Sequence, residues 1–122
     1  MTTTMPAAVA LKRGDVVLTL FPHSDLRTSK TRPDLVVQAD NLQTGLPQLV
    51  VAMITSRAQR GGHPSRVMIS LTSPAGRQSG LLKDSVVATD NLATVIDAAI
   101  DRIIGSLPMT EVGIALRHTL GI

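Results

Sequence analysis

The feature that most constrains this chain is a succession of short apolar runs, each fenced by turn-forming residues. DVVLTLF (15–21), DLVV (34–37), QLVVAMI (48–54), VMISL (67–71) and DSVVATD (84–90) are rich in Val, Ile and Leu, side chains that suit a pleated, half-buried surface. Gly, Pro, Asn and Asp cluster between them, at 40–47 and again from 72 through Gly80. Short strands at such close spacing predict a mostly-β domain, a small and strongly curved sheet or barrel. The nearly continuous apolar run of 48–54 reads as a strand buried on both faces.

Two stretches fall outside this pattern. In 110–120, Val112, Ala115, Leu116, Thr119 and Leu120 share one face, Arg117 and His118 lie near the end and Gly121 follows, which predicts a C-terminal helix. LATVIDAAIDRIIG (92–105) is ambiguous, with apolar residues at both helical and alternating spacing, and periodicity alone favours an amphipathic helix. The second strand is expected at about 33–39, after a polar loop.

A length of 122 residues suits one domain with its own core. Residues 1–11 read as a flexible leader and 12–122 as the domain. The leader's charges follow its apolar patch, whereas a secretory signal places them first. No apolar run approaches the ~20 residues of a membrane span. The absence of cysteine excludes disulfides and thiolate metal sites and fits a cytoplasmic protein. A net charge of +3 permits an acidic partner without requiring one. With one Phe and no Trp or Tyr, base stacking on aromatic platforms is closed to it.

Charge is concentrated in two loops. The first, in FPHSDLRTSKTRPDLVV (21–37), carries Ser24, Asp25, Arg27, Lys30 and Arg32; the second, RAQRGGHPSR (57–66), follows Thr55 and Ser56 and adds Arg57, Gln59, Arg60 and Arg66. If both loops lie on one rim, these cations suit an RNA backbone, while Ser24, Asp25, Gln59 and Asn91 suit exposed base edges. Taken singly, each also fits an ordinary solvated side chain. The nine acids are scattered and no HxH or HxxxH spacing occurs, so neither a metal nor another cofactor is expected.

The ordered series FPxSDLxxSKxRP (21–33), an apolar strand ending MITS (53–56), GLLKDSVVATDNLATVID (80–97) and a helix ending ALRHTLGI (115–122) resembles the MazF/PemK-like toxins of bacterial toxin–antitoxin systems. The likeness is to the subgroup whose first loop reads DLxxSKxRP. It implies a small SH3-like (CcdB/PemK-like) β-barrel with a C-terminal α-helix, forming a homodimer. It also implies a strand and a short helical turn, rather than a helix, within 94–104. The implied activity is sequence-specific, metal-independent cleavage of single-stranded RNA in the bacterial cytoplasm, neutralised by a cognate antitoxin.

The same resemblance assigns catalytic roles to Arg32, Thr55 and Asp90, and RNA contacts to Ser24, Asp25, Arg27, Lys30, Ser56, Arg57, Arg60 and Asn91. A ribonuclease of this kind uses the ribose 2′-OH as nucleophile and needs charge on the phosphorane together with groups that move protons. Arg32 offers an always-charged planar fork, Thr55 a hydroxyl beside it, and Asp90 a carboxylate that takes a proton or fixes Arg32. From the residues alone, Arg32 equally fits a surface arginine before a proline, Thr55 a satisfied strand end and Asp90 a turn former. Ala88 stands where many relatives carry a basic residue. The alternatives are a CcdB-like gyrase poison of the same fold, which shares the Gly-Ile ending but lacks the Arg-Pro and Thr-Ser pairs, and a catalytically inactive RNA- or antitoxin-binding barrel.

Overall fold

The computed structural model describes residues 11–22 and 29–122. The leader expected at 1–11 therefore lies, but for Leu11, outside the described residues, as do His23, Ser24, Asp25 and Arg27 of the first loop. The chain runs β1 (Asp15–Pro22), β2 (Ser29–Val36), β3 (Gln48–Thr55), β4 (Arg66–Ile69), α1 (Pro74–Ser79), β5 (Ser85–Ile96), β6 (Ile100–Ser106) and α2 (Thr110–Leu120), with single 3₁₀ turns at Ala58–Arg60 and Asp97–Ala99. The strands form one six-stranded antiparallel sheet in the order β4-β5-β3-β2-β1-β6. β4 and β6 are its edges, so the fold is mostly β with a C-terminal helix, as expected, but the sheet does not close into a barrel.

Alternation along each strand splits the apolar residues between two faces. One face carries Val16, Leu35, Ala52, Ile54, Val67, Ile69 and Val87, and α2 seals it with Val112, Ala115 and Leu116. The stripe at i, i+3 and i+4 is the reason this segment is helical, and Gly121, at φ 71°, ends it by donating its N–H to the Arg117 carbonyl at 2.9 Å. The other face holds a smaller cluster of Val17, Val36, Leu49 and Val51, joined by Leu11, Val95 and Ile100. Both faces of β3 are thus used, as its unbroken apolar run predicts.

The helix that periodicity favours over 92–105 is not formed. Val95 and Ile96 pair with Leu49 and Gln48 of β3, and Ile100 and Ile103 pair with Thr19 and Val17 of β1, with the turn at Asp97–Ala99 between the two strands. Ladder partners on both sides outweigh a periodicity that fits either state, and the strand-and-turn expectation from the resemblance is the one that holds. The second strand begins at Ser29 rather than near Pro33, because 29–32 continue the hairpin ladder with β1. The polar segment before Gly80 hides α1: the Ser73 hydroxyl accepts the Gly76 N–H at 3.0 Å, Pro74 stands in the first turn and Gly80 leaves it at φ 75°. This helix packs against the β6 edge so closely that a Cβ on Gly105 would lie 2.4 Å from the Ser79 carbonyl.

Candidate functional site

Antiparallel pairing places the end of β1, the start of β2 and the end of β3 at the same end of the sheet, where the β3–β4 loop emerges. Register then sorts the side chains. Thr19 stands opposite Arg32, and Asp34 opposite Met53, the last pair of the β2–β3 ladder; Arg32 lies two residues before Asp34 and Thr55 two residues after Met53, both on the face that this pair shares. That row, with Lys30 at its outer end, continues the face holding the smaller apolar cluster.

Thr55 ends its strand half-buried, with Oγ1 accepting the Arg57 N–H at 3.2 Å. Its hydroxyl proton remains available to an incoming oxygen. Ser56, Arg57 and Gln59 are exposed along the following 3₁₀ turn, and the Arg60 carbonyl accepts from Arg66 Nη1 at 3.2 Å, tying that loop to β4.

Asp90 and Asn91 sit on a bulge. Ala52 pairs with Leu92 but Met53 with Ala88, so Thr89, Asp90 and Asn91 are extra residues on β5. Such an insertion bends a strand and re-aims its side chains. Thr89 turns inward, donating to the Ser65 carbonyl at 2.6 Å and sharing a 2.7 Å hydrogen bond with Thr119 of α2. Asn91 Nδ2 reaches Met53 Sδ at 3.3 Å. The Asp90 carboxylate meets Arg66, with Nη2 at 2.7 Å and Nε at 3.3 Å. This forked contact holds the Asp90 carboxyl below the usual carboxylate range and raises the Arg66 guanidinium further. The expected ion pair of Asp90 with Arg32 is therefore made with Arg66 instead. Arg66 also stands opposite buried Ala88 in the ladder, so a cation reaches this part of the face from the neighbouring strand.

The sequence reading passed over Asp34 and Thr19. Asp34 is 4% exposed and Thr19 1%, and neither Asp34 Oδ2 nor Thr19 Oγ1 has a hydrogen-bond partner among the described residues. Burial pushes the Asp34 carboxyl up to about 6, against smaller opposing pulls from the nearby Thr19 hydroxyl and the Arg32 charge. The signal was an acid in RPDLVV, among residues otherwise bound for the core. His63 and His118 lie off this row, their ring centroids 6.1 Å apart, with His63 Nδ1 2.7 Å from Ser65 Oγ. Among the described residues, no group of three His, Asp or Glu side chains is placed to hold a metal ion, and no helix is long and apolar enough to cross a membrane.

A family model described as PemK-like, MazF-like toxin of type II toxin–antitoxin systems matches residues 12–119. The chain belongs to this family. Solved structures of MazF-like proteins share its fold. An endoribonuclease in complex with its cognate antitoxin from a mycobacterial species superposes with a TM-score of 0.70 at 22% identity, over 93% of this chain and 97% of that one. MazE–MazF from Deinococcus radiodurans gives 0.67 at 19%, over 92% and 96%. A Mycobacterium tuberculosis toxin gives 0.56 at 28%, over 74% and 89%. No curated protein matches. On this MazF-like fold, the row Lys30–Arg32–Thr55 and the bulge at Asp90–Asn91 border one end of one sheet face.

Proposed function

We propose that this protein is the endoribonuclease toxin of a toxin–antitoxin pair, cleaving single-stranded RNA in the bacterial cytoplasm by attack of the ribose 2′-OH on the adjacent phosphate, with no metal ion. The observation that supports the reading is that Arg32 and Thr55 lie on one sheet face, each two residues beyond the Asp34–Met53 pair at the same end of the β2–β3 ladder. Arg32 stabilises the phosphorane, because a guanidinium stays charged at every working pH and binds two phosphate oxygens through its fork. Thr55 donates its hydroxyl proton to a third oxygen. The sequence places no base beside Thr55 to make that hydroxyl a nucleophile, so the chemistry runs through the RNA's own 2′-OH.

Asp90 remains ionised through its pairing with Arg66, which suits it to holding Arg66 toward the RNA backbone better than to accepting a proton. Lys30, Ser56, Arg57, Arg60 and Asn91 are assigned to RNA contacts, together with Ser24, Asp25 and Arg27, which lie outside the described residues. An antitoxin with an acidic segment laid along this end of the sheet would block the substrate by occupying the same cations. Exposed Leu42, Leu46, Ile96 and Ile103 favour a homodimer, since they leave apolar surface that one core does not cover.

Purified protein incubated with single-stranded RNA and its DNA analogue in excess EDTA tests the reading. The expected result is cleavage of RNA alone, leaving a 2′,3′-cyclic phosphate and a 5′-hydroxyl, abolished in Arg32→Ala. Activity that disappears with the chelator, or cleavage that persists in the variant, overturns the mechanism. Inactivity of folded protein toward varied RNAs, together with inhibition of gyrase supercoiling, would favour the poison instead.

A further inference from the structure

Among the groups around this site, Asp34 is the one whose placement no packing argument explains. A carboxylate is among the costliest side chains to bury, and this one lies within an apolar strand with Oδ2 left without a hydrogen-bond partner among the described residues. An aliphatic residue like Leu35 or Val36 beside it would fill the position without that cost. From β1 it is faced by Val17 and, one pair along, by Thr19; from β3 it is faced by Met53. None of these is charged, and Arg32, two residues away on the same strand face, is the charged group acting on Asp34 among the described residues. An expensive polar group on which, among the described residues, the proposed catalytic cation is the charge that acts reads as a functional device rather than a structural one.

We propose that Asp34 is a positioning residue for Arg32: its buried carboxylate attracts the guanidinium from behind and fixes the direction in which the fork meets the scissile phosphate. This rests on the nuclease reading above. Arg32 is exposed, and a long side chain loses rotamer freedom whenever it must hold one geometry. An anion two residues along the same strand face meets part of that demand in advance. Thr19, opposite Arg32 and equally buried, completes the row and partly offsets the burial of the carboxylate. Because the carboxyl titrates near 6, the attraction is present at neutral pH and fades in mild acid.

Two readouts test it: RNA cleavage from pH 5 to 8 by wild type and Asp34→Asn, and the NMR resonance of the Arg32 Nε–Hε group over the same range. Wild type is expected to lose kcat below a midpoint near 6, and the Arg32 resonance to shift with that midpoint. Asp34→Asn is expected to lower kcat by about 10- to 100-fold, the scale of a misdirected catalytic group, to leave KM nearly unchanged, and to abolish both the acid limb and the shift. A variant that cleaves at the wild-type rate with the same pH profile overturns the inference, as does a wild-type Arg32 resonance that ignores pH around 6. The latter needs no variant to fold. A wild-type protein that cuts no RNA, while its Arg32 resonance follows Asp34, overturns the nuclease reading and supports the Asp34–Arg32 linkage.

Discussion

Two arginine–aspartate pairs border the same face and could hardly differ more. Arg66 and Asp90 meet at 2.7 Å near the surface, and that contact lowers the carboxyl below its usual range. Arg32 and Asp34 share one strand face, with the carboxylate buried, one oxygen unpartnered and its pKa pushed up to about 6. The first pair is electrostatically satisfied and screened by water; the second sets a buried carboxyl beside an exposed guanidinium. Groups whose environments move them toward working pH are the ones suited to chemistry, so on the function proposed above the second pair is assigned to catalysis and the first to holding substrate.

Removing each arginine breaks this contrast most directly. Arg32→Ala should lower kcat by about 10²- to 10³-fold, the usual cost of losing one donor to a developing oxyanion. Arg66→Ala should leave kcat nearly unchanged, raise KM, and reduce the salt dependence of RNA binding by about one phosphate contact. Single-turnover cleavage beside filter binding at several salt concentrations separates the two effects. Equal losses of kcat in both variants would erase the distinction.

Stability should separate the acids with the opposite sign. For Asp34 the folded pKa is raised from 3.8 to about 6. Between those values the folded protein holds a proton that the unfolded chain has released, so stability falls as pH rises through this window and then levels off. The carboxylate costs on the order of 3 kcal/mol above pH 7, at ~1.4 kcal/mol for each pKa unit. Asp34→Asn should therefore gain up to about that much unfolding free energy at pH 8 and little at pH 4, measured by urea denaturation. A variant that is less stable at pH 8 would mean that the charged form is stabilised by contacts the folded chain conceals.

The contrast also marks how far the sequence could be read. The strands at 15–21 and 48–54 and the helix at 110–120 follow from local pattern, because each has one periodicity that its tertiary surroundings accept. Residues 92–105 carry both periodicities, and only the ladders with Gln48–Ala52 and Asp15–Thr19 decide between them. The short α1 was announced by Ser73-Pro74 and Gly80, but its polar interior resembles a loop. Arg32, Thr55 and Asp90 stood out in the sequence as chemistry-bearing types beside apolar runs, although Arg32 falls inside β2 and Asp90 inside β5. Their surroundings did not: that Asp90 meets Arg66 depends on the bulge at Thr89–Asn91, and that Asp34 is buried beside Val17 and Met53 depends on how β1 and β3 pair with β2.

The smallest effect is expected at Asp90, where it sharpens the comparison best. Its lowered pKa means that the interaction with Arg66 stabilises the fold above the ordinary carboxylate range and is lost as pH falls through the folded value, the reverse of Asp34. Both partners are about a third exposed, and at 0.15 M salt, where the screening length is ~8 Å, such a pair contributes little. Asp90→Asn should leave the melting temperature at pH 7 within scatter. It should leave kcat alone and raise KM slightly, because Arg66 keeps its tie to the Arg60 carbonyl but loses the carboxylate that aims its fork. A large fall in kcat would instead place Asp90 among the groups that move protons, and the division between a holding pair and a reacting pair would then have to be drawn elsewhere on this face.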